Sequence, residues 1–225
     1  MDAAVGEMSG RAERVARRLA EMYPYDGKCF LSFGSPWQLM AATILSAQCT
    51  DARVNAVTAE LFAKYPTADA LLAAELADVE RIVRPAGFYH AKARNLIASA
   101  RRLAEDFGGE MPSDVETLTT FPGVGRKTAN VVRSHVFALP SIVVDTHVKR
   151  VSYRLGLTDS DDPARIERDL SLILPEELWC SFNPLVITHG RAVCRAIRAD
   201  CAGCGLSDLC GKRVAVPRHT SLIRR

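Results

Sequence analysis

The amino-acid sequence predicts an all-α protein, and three observations carry that expectation. Apolar residues recur at helical spacing along most of the chain. A Ser-Pro step and an Asp-Pro step each place a capping residue ahead of a proline suited to a first helical position. Only Ser141-Ile142-Val143-Val144 reads as extended, and one such run does not make a sheet.

The elements follow in order. Val15, Leu19 and Met22 share one face of an N-terminal helix. Ser35-Pro36 opens a second helix, which the pattern carries from 36 to 48. Val54, Val57, Leu61 and Phe62 mark a third. Ser113-Asp114-Val115-Glu116 has capping-box spacing ahead of a short helix, and another helix begins near Arg126. Asp162-Pro163 opens a helix with Ile166, Leu170, Ile173 and Leu174 on one face, and Pro175 stops it. About ten helices are expected in all, with no internal repeat and no low-complexity segment.

Composition excludes several classes of protein. With 48% hydrophobic and 24% charged residues the chain is globular, not intrinsically disordered. No apolar run approaches the roughly 18 residues that span a bilayer. The opening Met1–Glu7 has neither a basic n-region nor an apolar h-region, so a cytoplasmic protein is expected. The formal charge is only +3, but residues 190–225 hold eight Arg or Lys against two Asp, leaving the first 189 residues at −3. Such a basic tail fits either a surface facing a polyanion or a solvated terminus. Seven cysteines, an odd number, argue against a disulfide framework. Cys29, Cys49 and Cys180 stand among apolar neighbours and are expected in the core.

Three motifs carry chemistry. The first is Leu118-Thr119-Thr120-Phe121-Pro122-Gly123-Val124-Gly125-Arg126-Lys127-Thr128-Ala129. Two glycines around one apolar residue let the backbone turn tightly and present N–H groups just before a helix, a geometry that binds phosphate oxygen. A plain αα-hairpin would need less than this whole string, which looks like a helix-hairpin-helix motif gripping the DNA backbone. Lys127 falls in the first turn of the following helix, where the macrodipole disfavours an ammonium and favours the neutral amine. It is read either as a phosphate-contacting lysine or as an amine nucleophile for imine chemistry.

The second motif is Val143-Val144-Asp145-Thr146-His147-Val148, an apolar run entering a helix through Asp145. Asp145 is an N-cap, a carboxylate directed into a site, or both. His147 reads as a packed or supporting histidine before it reads as a base. The third is Cys194-x6-Cys201-x2-Cys204-x5-Cys210, four thiols within 17 residues, with Arg191, Arg195 and Arg198 alongside. Four thiolates hold zinc or an iron–sulfur cluster. Only the central pair has the spacing of a zinc knuckle, which favours a [4Fe–4S] site.

With these motifs in one chain and in this order, the sequence resembles the endonuclease III family of bifunctional DNA glycosylase/AP lyases, over about residues 10–212. The resemblance implies a six-helix barrel domain, 29–139, holding the helix-hairpin-helix at about 113–138. A second domain, 1–28 with 140–225, would carry the cluster, and the substrate would lie in the cleft between the two. Carried over residue by residue, Lys127 matches the Schiff-base lysine and Asp145 the catalytic aspartate. Cys194, Cys201, Cys204 and Cys210 match the ligands of one [4Fe–4S] cluster. Gln48, in Ser46-Ala47-Gln48-Cys49-Thr50-Asp51, matches the glutamine that fills the gap left by a flipped nucleotide. Phe88, where some relatives have Leu, matches the side chain wedged into the base stack. Gly123, Val124, Gly125 and Arg126 match the phosphate-gripping turn, and Phe121 replaces the usual Leu before Pro-Gly.

The implied function is removal of oxidised pyrimidines from duplex DNA and β-elimination at the abasic site, with no membrane and no obligate protein partner. Two alternatives stay open: a monofunctional glycosylase of the same fold, and a non-enzymatic iron–sulfur DNA-binding module. Family relatives that lack strand cleavage lack a lysine at the position of Lys127.

Overall fold

Eleven α-helices and two short 3₁₀ turns form the regular structure of this computed structural model, which describes residues 2–213, and no strand occurs among them. The helices are α1 (Asp2–Met22), α2 (Pro36–Leu45), α3 (Asp51–Lys64), α4 (Ala68–Leu72), α5 (Leu76–Val83), α6 (Tyr89–Phe107), α7 (Val115–Leu118), α8 (Arg126–Val136), α9 (Thr146–Leu155), α10 (Pro163–Ile173) and α11 (Trp179–Ala192). The 3₁₀ turns are Arg84–Ala86 and Glu176–Leu178. The all-α expectation holds. Ser141–Val144 is buried and belongs to no helix or strand. No helix among the described residues is long and apolar enough to cross a membrane.

Two compact units divide the chain. One is Lys28–Leu139, with α2 at its centre. Trp37, Leu39, Met40, Ala41, Ala42, Ile44 and Leu45 are all buried, and a helix apolar on every side has to be surrounded. It packs against α3, α6 and α8, while α6 also packs against α4 and α5. Ser35 caps α2 by accepting from the Gln38 amide, with Pro36 at the first position. The helix ends at Leu45, three residues short of the sequence expectation. Ser46 caps it with its own amide, and the chain then turns left-handed at Gln48.

A second correction concerns α7. Its cap is Asp114, one residue past the Ser113 that the capping-box spacing suggests, because the Asp114 carboxylate accepts from the Thr117 amide at 2.7 Å. Cys29, Cys49 and Cys180 are partly buried, not core residues.

The other unit joins the described residues up to Gly27 to those from Pro140 onward. Ala12, Val15, Ala16 and Leu19 of α1 bury their face in a core shared with α9, α10 and α11. Ile166, Leu170 and Ile173 of α10 are buried as their spacing predicts, and Asp162 caps that helix through the Arg165 amide. The last three basic residues of the expected tail, Arg218, Arg224 and Arg225, lie outside the described residues.

Candidate active site

The two glycines of the Pro122–Gly125 turn do different work. Gly123 has φ +79°, and a Cβ there would stand 2.8 Å from Asn95 Nδ2, so the fold itself demands glycine. Gly125 has ordinary φ −96°, and a Cβ on it would meet nothing within 4 Å. Between them Val124 is buried and donates its amide to the Phe121 carbonyl at 3.0 Å. Phe121 is buried and stacks on Phe107 with ring centres 5.3 Å apart. Ser99 Oγ fixes the Pro122 carbonyl at 2.8 Å. This rigid turn ends at Gly125, the N-cap of eleven-residue α8, which brings no side chain to the first-turn amides.

Lys127 is exposed at the second position of α8. Its charge is felt by Cys29 in the same unit: burial pushes that thiol up, and Lys127 pulls it down more weakly.

In the other unit, Asp145 caps α9. Its Oδ1 accepts from the amides of His147 (2.9 Å) and Val148 (2.7 Å), so the cap uses one carboxylate oxygen alone. The run leading to it is held by Asn183 Nδ2, which donates to the Val143 carbonyl at 3.0 Å. Cap and directed carboxylate are therefore compatible. His147 is partly buried, and its Nδ1 lies 3.1 Å from Arg150 Nη2, which can only donate. A Cβ on Gly190 would come within 2.7 Å of that nitrogen, so His147 packs tightly on α11. These contacts fit the reading of His147 as a packed histidine.

Gln48 and Phe88 share a feature that the sequence does not announce. Both adopt left-handed backbone, with φ +53° and +50°, a conformation uncommon for residues other than glycine. Both side chains are exposed, Phe88 at 68%.

Cys194, Cys201, Cys204 and Cys210 line one cavity of about 110 Å³, together with Val151 and His189. Cys194, Cys204 and Cys210 also pack against the core of their unit, where Leu206 is fully buried. The sulfurs sit among donors: the Leu206 amide lies 3.4 Å from Cys204 Sγ, the Lys212 amide 3.3 Å from Cys210 Sγ, and Arg154 Nη1 3.6 Å from Cys194 Sγ. Among the described residues, no three His, Cys, Asp or Glu side chains come close enough together to hold a single metal ion.

Sequence reasoning missed what ties this loop down. Arg150 donates to the Cys194 carbonyl, and Arg154 to the carbonyls of Arg195 (2.7 Å) and Ala196 (2.9 Å). Their spacing of four on α9 is the one signal that they share a face. Arg11 reaches the carbonyls of Leu155, Gly156 and Leu209 from α1. Arg191, Arg195 and Arg198 are exposed, as their place beside the cysteines suggests.

Residues 41–176 match the HhH-GPD superfamily of base excision DNA repair proteins, the class that an all-α fold with this hairpin defines. The chain is 48% identical over 201 residues to the endonuclease III of Synechocystis sp., which covers 89% of this chain and 91% of the relative. It is 42% identical over 194 residues to that of Bacillus subtilis, covering 86% and 88%. A solved trapped endonuclease III–DNA covalent intermediate superposes with TM-score 0.82 at 43% identity, covering 88% of this chain and 92% of that one. The chain belongs to the endonuclease III family.

Proposed function

We propose that this DNA glycosylase/AP lyase removes oxidised pyrimidines from duplex DNA and cuts the resulting abasic site through a Schiff base on Lys127. The observation that carries the reading is the placement of Lys127, exposed in the first turn of α8 behind a turn that Gly123 holds rigid. The target nucleotide leaves the stack before its sugar can be reached. Amides at the start of α8 and the Arg126 side chain face backbone phosphate, and the open space at Gly125 lets that phosphate approach closely.

The neutral amine of Lys127 attacks C1′. The C1′–N bond forms as the glycosidic bond breaks, and the departing base takes one proton from the new ammonium. The nitrogen lone pair then opens the sugar ring, with O4′ taking up a proton from water, to give the protonated imine. The imine acidifies C2′–H; removal of that proton expels the 3′ phosphate and cuts the strand, and water then frees the lysine. Asp145, with one oxygen committed to its cap, uses the other against positive charge developing on the sugar. Gln48 fills the space of the departed nucleotide, and Phe88 wedges into the stack. With DNA as its substrate, the protein is read as cytoplasmic, associated with the nucleoid if its source is bacterial.

Cys194, Cys201, Cys204 and Cys210 would hold a [4Fe–4S] cluster. All four thiols rim one cavity, and the Leu206 and Lys212 amides and Arg154 stand beside three of the sulfurs, donors that suit the negative charge of a thiolate-bound cluster. Bound there, the cluster would cross-link the loop that carries Arg195 and Arg198, and it takes no part in the steps above.

Borohydride added during turnover tests the nucleophile. The wild-type protein should become covalently joined to lesion DNA, and Lys127→Gln should abolish this while still binding the lesion. Undiminished trapping in Lys127→Gln would overturn the assignment.

A further inference from the structure

Lys92 is 5% exposed, one turn into α6. Its Nζ stands 2.8 Å from each of three backbone carbonyls, those of Leu45, Ala47 and Ala86. An ammonium has three N–H donors, and each has one acceptor here. A neutral amine has two and would leave one carbonyl unfilled. Burial pulls the Lys92 pKa below the ordinary lysine range, but the three acceptors require the charged form.

The identity of those carbonyls is what matters. Leu45 is the last residue of α2 and Ala47 lies just past it, so both oxygens belong to a helix end that cannot pair them internally and that favours a cation. Ala86 ends the 3₁₀ turn that leads into α6. One ammonium thus clamps two segments that are about forty residues apart in sequence. The residue after Ala47 is Gln48, and two after Ala86 comes Phe88. These are the two residues that the proposed function sends into the duplex, and both stand in left-handed backbone with exposed side chains. Both side chains are exposed, so the backbone beneath them does most to set their direction. The Lys92 amide donates to the Phe88 carbonyl at 3.0 Å, adding a further tie on that side.

We propose that Lys92 is a positioning residue that holds the Gln48 and Phe88 turns at fixed spacing, so that gap-filling and wedging occur as one event. The inference rests on reading Gln48 and Phe88 as the DNA-inserting residues. It assigns Lys92 no contact with DNA and no chemical step.

The test is a cycle between Lys92→Met and the double variant Gln48→Ala/Phe88→Ala, using full-length protein and an oxidised pyrimidine in duplex or single-stranded DNA. Fluorescence of 2-aminopurine beside the lesion reports unstacking. Lys92→Met should lower excision from duplex by about tenfold, or more if the turns shift by a large fraction of an ångström, and should reduce the fluorescence rise. Excision from single-stranded DNA, which needs no insertion, should fall by less than about threefold, and so should any extra loss when Lys92→Met is added to the double variant. Equal losses on duplex and single strand, or the full tenfold loss again in the double-variant background, would make Lys92 a fold residue and overturn the proposal. If the double variant alone excises normally from duplex, the insertion reading itself has failed, and the proposal falls with it. Should Lys92→Met not fold, Lys92→Gln, which keeps two donors, takes its place in the same cycle.

Discussion

Asp145 serves two ends with two oxygens, and a single substitution can separate them. Asparagine is as good an N-cap as aspartate, and its side-chain oxygen can take over the His147 and Val148 amides. Asp145→Asn should therefore melt like the wild type, whereas Asp145→Ala should lose about 1 kcal/mol of stability with the cap. Base release in single-turnover assays should nevertheless slow by about 10²–10³ in Asp145→Asn, the scale of losing one pre-organised electrostatic group. Normal release in that variant would return Asp145 to structure alone. At this scale the sequence is uneven. Lys127 and Asp145 stand inside strings that carry their own context, a Gly-x-Gly turn and an apolar run. Lys92 has no such context, because its role is set by carbonyls 47, 45 and 6 positions away, and only folding brings them together.

At the level of elements, the hairpin makes a contrast between its glycines. Gly123→Ala combines positive φ with a Cβ pressed on Asn95, and thermal unfolding should show a loss of about 1–3 kcal/mol. Removing the obstacle with Asn95→Ala should recover only part of it, since the φ penalty remains. Gly125→Ala should cost under about 1 kcal/mol, because Gly is the better cap but no clash arises. Its effect should appear instead in DNA affinity, as the added methyl stands where phosphate would approach. Another element-level contact ties α3 to α5: Asp78 accepts from Lys64 (2.8 Å), from Tyr65 (2.7 Å) and from Arg81 of its own helix (3.3 Å). With Lys64 the largest cause, these partners lower the Asp78 pKa from 3.8 to about 2. A depressed carboxylate stabilises the fold above its unfolded value, and the contribution disappears as pH falls through the folded one. The urea midpoint of the wild type should exceed that of Asp78→Asn by a constant margin above about pH 5, and the gap should close toward pH 2. A gap independent of pH would show that Asp78 acts through packing. Helix positions were legible because caps and apolar spacing are local properties: Ser35, Asp162 and the Ile166 face all stand where the pattern puts them. Helix ends were less so. Ala47 and Gln48 continue the composition of α2, and only the turn to left-handed backbone marks the break.

For the whole molecule, the cysteine loop should separate holding DNA from acting on it. Three of the four cysteines pack against the core that α1 and α9–α11 build, while Lys127 belongs to a unit with its own buried centre in α2. The four-cysteine spacing was legible as a group that folds around one cavity, but the scaffold of Arg11, Arg150 and Arg154 was not, since each acts on carbonyls far along the chain. If the four thiols hold a [4Fe–4S] cluster, protein purified without oxygen should be brown and contain iron, and Cys204→Ser should lose it. The loop from Cys194 onward should then loosen, and with it the exposed Arg195 and Arg198. Affinity for undamaged duplex should weaken, and its log–log dependence on salt should flatten by about 0.9 for each phosphate that the loosened loop no longer neutralises. The chemistry should survive, because Lys127 belongs to the other unit and Asp145 is held by amides of its own helix α9: at saturating protein, borohydride trapping through Lys127 should proceed at close to the wild-type rate. Stoichiometric zinc without iron in anaerobic preparations would refute the cluster. Equal loss of trapping and of affinity in Cys204→Ser would show instead that the loop also supports the chemistry, through the unit that holds Asp145, and is not a separable DNA-binding surface.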